Sequence, residues 1–189
     1  IEEPEECAEL LSLYLRFPVS ELVIHPRVQK DFYKNTPNRK AFSLAEQAAG
    51  QQGKPEDWLC YNGDIFSPQA AEKLSKEFPG TASVMLGRGM IANPGLAGSL
   101  SDQDARMTKE EFRSFHDEIL EGYREIMSGD RNALFKMKEL WSYQMTLFPG
   151  CEKQAKKIRK AGTMDSYLAA VDELFGTGNF CPERYFEGF

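Results

Sequence analysis

Two short apolar runs with strand character each end in a glycine turn, and one capped helix lies between them. Trp58-Leu59-Cys60-Tyr61 runs into Asn62-Gly63-Asp64-Ile65, and Ser83-Val84-Met85-Leu86 runs into Gly87-Arg88-Gly89, with Gly87 following Asn62 by 25 residues. Ser67 is placed to cap the intervening helix, with Pro68 at its first position, where a missing N–H is no loss. Ala71, Leu74 and Phe78 form its buried face, and Pro79-Gly80 breaks it. A third run, Leu22-Val23-Ile24, precedes a helix of alanine and leucine over 40–49 that the pattern stops at Gly50. A helix over 5–16, ended by Phe17-Pro18, comes before all of these. Such alternation builds a parallel sheet with right-handed crossovers. Neighbouring loops at the C-terminal rim of a (β/α)8 barrel aim backbone N–H groups at one phosphate. The spacing of the two turns therefore predicts a phosphate-bearing ligand at such a rim.

Beyond 94–102 the texture changes, and every periodic segment is helical. Thr108 and Glu111 have the spacing of a capping box, and Phe112, Phe115, Ile119, Tyr123 and Ile126 line one face of the helix that follows, as far as Gly129. A helix over 131–147 carries Leu134, Met137, Trp141 and Met145 inward and ends at Phe148-Pro149-Gly150. Two more helices span 152–161 and 164–175, the last stopped at Gly176. The aromatics after Thr177 predict a docked tail. The chain thus reads as α/β followed by all-α: residues 1–100 as part of a barrel and 101–189 as a helical bundle.

The 189 residues fall short of the roughly 200 to 250 of a complete barrel. A beginning without methionine adds the expectation of a fragment. Three parallel strands leave two open edges, so a second copy or the chain's own tail is expected to cover them. No apolar run approaches the ~18 residues of a membrane span, and the acidic start 1–6 lacks the features of a secretory signal. Four cysteines without a Cys-x-x-Cys pair, and only two histidines, argue against structural zinc. Together these features predict a cytoplasmic protein that binds no membrane.

Each candidate residue has a plainer reading. Asn62-Gly63 is also a hairpin turn signal, but a capped helix follows it and Gly87-Arg88-Gly89 recurs at unit spacing. Arg88 adds a bidentate charged donor for an anion. The dinucleotide pattern Gly-x-Gly-x-x-Gly is not completed after Gly89, so a Rossmann site is not expected. His25 closes the first strand at the same rim, either facing a ligand or bonded to backbone, and Arg27 beside it is expected to face the barrel mouth. His116 reads as an ordinary flank residue of an amphipathic helix.

Net charge is −6, yet 131–160 holds eight basic residues and two acidic ones, which leaves −12 for the rest. Lys153, Lys156, Lys157 and Lys160 fall at i, i+3, i+4 and i+7, one stripe opposite Ala155 and Ile158. The stripe is either a solvated face or a contact for a phosphate backbone.

The order Val-Ile-His-Pro-Arg, Tyr-Asn-Gly-Asp-Ile and Val-Met-Leu-Gly-Arg-Gly-Met-Ile-Ala-Asn-Pro resembles the last three barrel strands of the tRNA-dihydrouridine synthase family. The resemblance covers nearly the whole chain. It implies the C-terminal portion of a TIM barrel that binds FMN, joined to a helical domain that binds tRNA, with NADPH reducing the flavin and the flavin reducing a uridine. It implies that Asn62, Gly63, Asp64, Gly87 and Arg88 hold the FMN phosphate. His25 would lie near the flavin ring, and Arg27 near the ring or the uridine. Lys138 and Tyr143 match the family's Arg-Lys-His-Leu-x-Trp-Tyr stretch, whereas Met137 and Glu139 stand at its arginine and histidine. The family's proton-donating cysteine, in an Asn-x-Gly-Cys-Pro setting, and its flavin-contacting lysine have no counterpart here, so the chain alone is expected to be inactive. Another FMN barrel acting on a small molecule, or a non-catalytic RNA-binding module, are the alternatives.

Overall fold

A computed structural model describes residues 6–31, 35–55, 58–81, 83–102 and 104–187. The chain forms two compact units, one holding the residues up to Gly87 together with Glu187 and the other spanning Arg88–Phe186. The first contains α1 (Glu6–Tyr14), β1 (Leu22–Ile24), a 3-10 turn (Gln29–Asp31), α2 (Arg39–Gln51), β2 (Leu59–Asn62), α3 (Pro68–Glu77) and β3 (Ser83–Met85). Its expected first helix begins at Glu5, which lies outside the described residues.

The three strands are parallel in the order β1-β2-β3. Leu22 stands opposite Leu59, Ile24 opposite Tyr61, Cys60 opposite Ser83 and Asn62 opposite Met85. Side chains alternate across a strand. Leu22, Ile24, Leu59, Tyr61 and Val84 share one face and pack with Leu11 of α1, Phe42 and Ala45 of α2 and Leu74 of α3. Phe42, Tyr61 and Phe78 form its aromatic centre, with ring centroids 4.9–6.2 Å apart. On the other face Val23 and Met85 remain exposed. Helices on a single face of a parallel sheet are the arrangement of a barrel wall, whereas a doubly wound sheet is covered on both. The fold is thus part of a TIM barrel followed by helices.

The second unit holds α4 (Arg88–Ala92), α5 (Leu96–Ser101), α6 (Lys109–Ile126), α7 (Asp130–Gln144) with a 3-10 turn (Met145–Leu147), α8 (Glu152–Lys160) and α9 (Met164–Thr177). Both halves of the capping box at Thr108 form: its hydroxyl accepts from the Glu111 N–H and its own N–H donates to the Glu111 carboxylate. Phe112, Met137, Trp141, Leu147, Phe148, Tyr167 and Leu174 build one core. The tail docks here too, with Phe180 stacked on Phe112 at 5.6 Å and the Cys181 N–H donating to Leu147 O.

Several expectations are corrected. Helix α2 passes through Gly50, and the left-handed residue beyond its end is Gly53, at φ 65°. Helix α9 passes through Gly176 and stops at Gly178, where a Cβ would stand 2.6 Å from Leu174 O. Ile126, placed by periodicity on the buried face of α6, is 77% exposed because the last turn outruns the core. Helix α5 occupies the stretch 94–102 expected to be only a divide, and α4 begins at Arg88, inside the Gly87-Arg88-Gly89 run expected to be a turn, and packs on α7. Asn93 explains how this stretch is held: its amide donates to Pro182 O at 2.9 Å and Arg184 O at 3.1 Å, and its Oδ1 accepts from the Gly95 N–H.

Candidate functional site

Parallel pairing of β2 with β3 makes both glycine turns leave the same edge of the sheet, since Asn62 and Met85 are register partners. The Asn62 amide donates to Met85 Sδ at 3.4 Å. His25 follows β1 at that edge, and its Nδ1–H donates to Asn62 O at 2.6 Å. Because a carbonyl only accepts, Nδ1 is the nitrogen that carries a proton in this bond.

Arg27 does not project freely. Its side chain is 3% exposed, and its guanidinium grips both carboxylate oxygens of Asp64 at 3.1 and 2.5 Å and also donates to Asn35 O at 2.9 and 2.7 Å. Asp64 has φ 50°, the left-handed region that aspartate tolerates better than most residues. The two glycines differ in what they answer to. A Cβ on Gly63 would stand 2.9 Å from Pro37 Cγ and 3.1 Å from the Tyr61 hydroxyl, so packing alone demands glycine there. Gly87 is exposed, with nothing within 4 Å of where a Cβ would stand. The Tyr61 hydroxyl beneath Gly63 is buried and has no hydrogen-bond partner among the described residues, and burial raises its pKa.

A cavity of about 260 Å³ in this unit is lined by His25 and Arg27 together with Leu11, Tyr14, Ile24 and Val28. Gly63 and Gly87 are not on its wall, so it lies beside the turns. Arg88, the residue after Gly87, opens α4 in the second unit.

In that second unit the lysine stripe is divided. Lys153, Lys156, Lys157 and Lys160 are all exposed and Ile158 is buried beneath them. Lys157 turns to Glu173 of α9 at 2.5 Å. Lys156 instead joins Arg159 on a groove of about 550 Å³ between α7 and α8, facing Lys138, Trp141 and Ser142. Lys138 donates to Ala161 O at 2.8 Å and so caps the C-terminal end of α8.

His116 is the clearest departure from its sequence reading. It is buried, with its Nδ1–H donating to Asp117 Oδ1 at 2.8 Å and its Nε2 accepting from the Tyr167 hydroxyl at 2.7 Å, while the Tyr167 oxygen accepts from Trp141 Nε1–H at 2.8 Å. Burial lowers its pKa and raises that of Tyr167. Asp117 is pushed up by burial, but bonds from Arg113 and His116 bring it below its usual value. The network orders the helical core. A histidine among Phe112, Phe115 and Ile119 gave one signal of this, because it falls four residues after Phe112 on the apolar face.

The family model described as Dihydrouridine synthase (Dus) matches residues 2–163. The chain belongs to the dihydrouridine synthase family. A search of curated proteins returned no match. The family is one of oxidoreductases acting on uridine in tRNA, and the match runs through all three strands and through α8. Among the described residues no helix is long and apolar enough to cross a membrane.

Proposed function

We propose that this dihydrouridine synthase chain supplies the FMN-phosphate turns and the tRNA-binding helical region of an NADPH-driven uridine reductase. Residues 1–100 would serve the flavin and 101–189 the tRNA. The observation that carries the flavin assignment is the shared edge from which the turns at Asn62-Gly63-Asp64 and at Gly87 depart. The donor set fits a phosphate ester. Gly87 has open space before it, and Arg27 neutralises the Asp64 carboxylate, which would otherwise repel an anion beside the turn. Asn62, Gly63, Asp64 and Gly87 would hold the phosphate through their backbone N–H groups, and His25 would lie near the flavin ring. Arg27 would position the turn through Asp64, with the ring or the uridine beyond it. FMN, when bound, supplies hydride chemistry. These 189 residues contain no Asn-x-Gly-Cys-Pro, the setting of the family's proton-donating cysteine.

Titrations with FMN and with riboflavin, which lacks the phosphate, test this reading. FMN should bind the tighter of the two, although weakly, and Gly87→Glu should abolish the difference by placing a carboxylate where the phosphate would lie. Equal affinity of the unaltered chain for both flavins overturns it. Dihydrouridine formation by this chain alone should be undetectable.

A further inference from the structure

Phe135 is 55% exposed in the middle of α7, although the unit has a closed aromatic core close by. Arg131, Phe135, Lys138 and Ser142 recur at i, i+4, i+7 and i+11 and therefore share one face of the helix. The Arg131 guanidinium carbon lies 5.7 Å and Lys138 Nζ 5.8 Å from the centre of the Phe135 ring. Lys138 and Ser142 continue into the groove between α7 and α8, where Lys156 and Arg159 face them across Trp141, Met145 and Ile158. Its lining holds three cations and one carboxylate, Glu152.

We propose that this face binds an unpaired stretch of RNA, with one base stacked on Phe135 and the phosphates of neighbouring nucleotides along Lys138, Lys156 and Arg159. The proposal rests on the tRNA reading above and adds to it a base-stacking site off the lysine stripe. Charge complementarity selects the occupant. A purely apolar partner would cover the ring only by stripping water from Arg131 and Lys138 without pairing them. A nucleotide offers both parts, a π face for the ring and an anion for the cations beside it. Bases inside an A-form duplex have their faces covered by their neighbours, whereas loops and ends can splay a base onto an aromatic side chain.

Binding of the full chain to tRNA, with single-stranded and duplex RNA of equal length as competitors, tests the site at two salt concentrations. The single strand should compete and the duplex should not. Phe135→Ala should weaken tRNA binding about tenfold with the salt dependence unchanged, and Phe135→Trp should retain affinity. Lys156→Ala with Arg159→Ala should weaken binding and lower the salt slope by about 1.4. Far-UV circular dichroism verifies that each variant is folded. If the unaltered chain binds no tRNA, the tRNA reading falls and takes this site with it. If it binds and Phe135→Ala stays within about twofold, or the duplex competes equally, the stacking site alone is overturned.

Discussion

Arg27 and Asp64, 37 residues apart, meet as a two-pronged ion pair that ties the loop after β1 to the loop after β2. The pair joins neighbouring strand ends at the edge where the candidate flavin turns lie. Asp64→Asn should destabilise the first unit by about 2–3 kcal/mol, less than a fully buried pair because the carboxylate is partly exposed. Each unit holds one of the two tryptophans. Urea unfolding of a Trp141→Phe background, with buried Trp58 as the reporter, measures the effect on the first unit alone.

Asn93→Ala should leave the carbonyls of Pro182 and Arg184 and the Gly95 N–H without their partner. The expected loss is about 2–3 kcal/mol from the second unit. Limited proteolysis should show earlier cleavage within residues 178–186.

Helical stability should depend on pH through His116. Its folded-state pKa lies below the usual 6.5 because burial disfavours the charged ring. The unfolded chain therefore takes up the proton first as pH falls. The contribution is complete above about pH 6.5 and is lost from there down toward the lowered folded value. Asp117, also lowered, acts in a more acidic window, with stability present above its usual 3.8 and lost as pH falls through its folded value. Midpoints of urea unfolding between pH 7.5 and 5, followed by Trp141 in a Trp58→Phe background, should decline, and His116→Gln should flatten that decline.

The four lysines of α8 should not contribute equally to RNA binding. Lys157 is already paired with Glu173, while Lys153, Lys156 and Lys160 form no ion pair among the described residues. Lys156→Ala should lower the salt slope of tRNA binding by about 0.7 to 0.9. Lys157→Ala should change it least. Equal effects from all four would show that the Glu173 pair opens on binding.

The strands and most helix starts were legible because local chemistry decides them. Ser67 and Thr108 accept the N–H groups their spacing predicts, and Leu22–Ile24 forms a strand. Pairing partners were inferred from alternation alone and proved parallel because each crossover contains a helix. Helix ends were less legible. Gly176 and Gly178 look alike in sequence, and it is Gly178 whose backbone leaves the helical region, at ψ 142°, and ends α9. The candidate site was legible as residue types but not as bonds. Nothing local says that Arg27 will find Asp64, that Lys157 will turn to Glu173 rather than to solvent, or that Asn93 will hold a tail some ninety residues onward.

The tail clasped by Asn93 also sets an order of events during synthesis. Phe180 fills a place against Phe112, and Cys181 bonds Leu147, so the helical core has no lid until those late residues leave the ribosome. The three-stranded unit emerges well before them, and a nascent chain can fold it while the helices behind it are still waiting for their last piece.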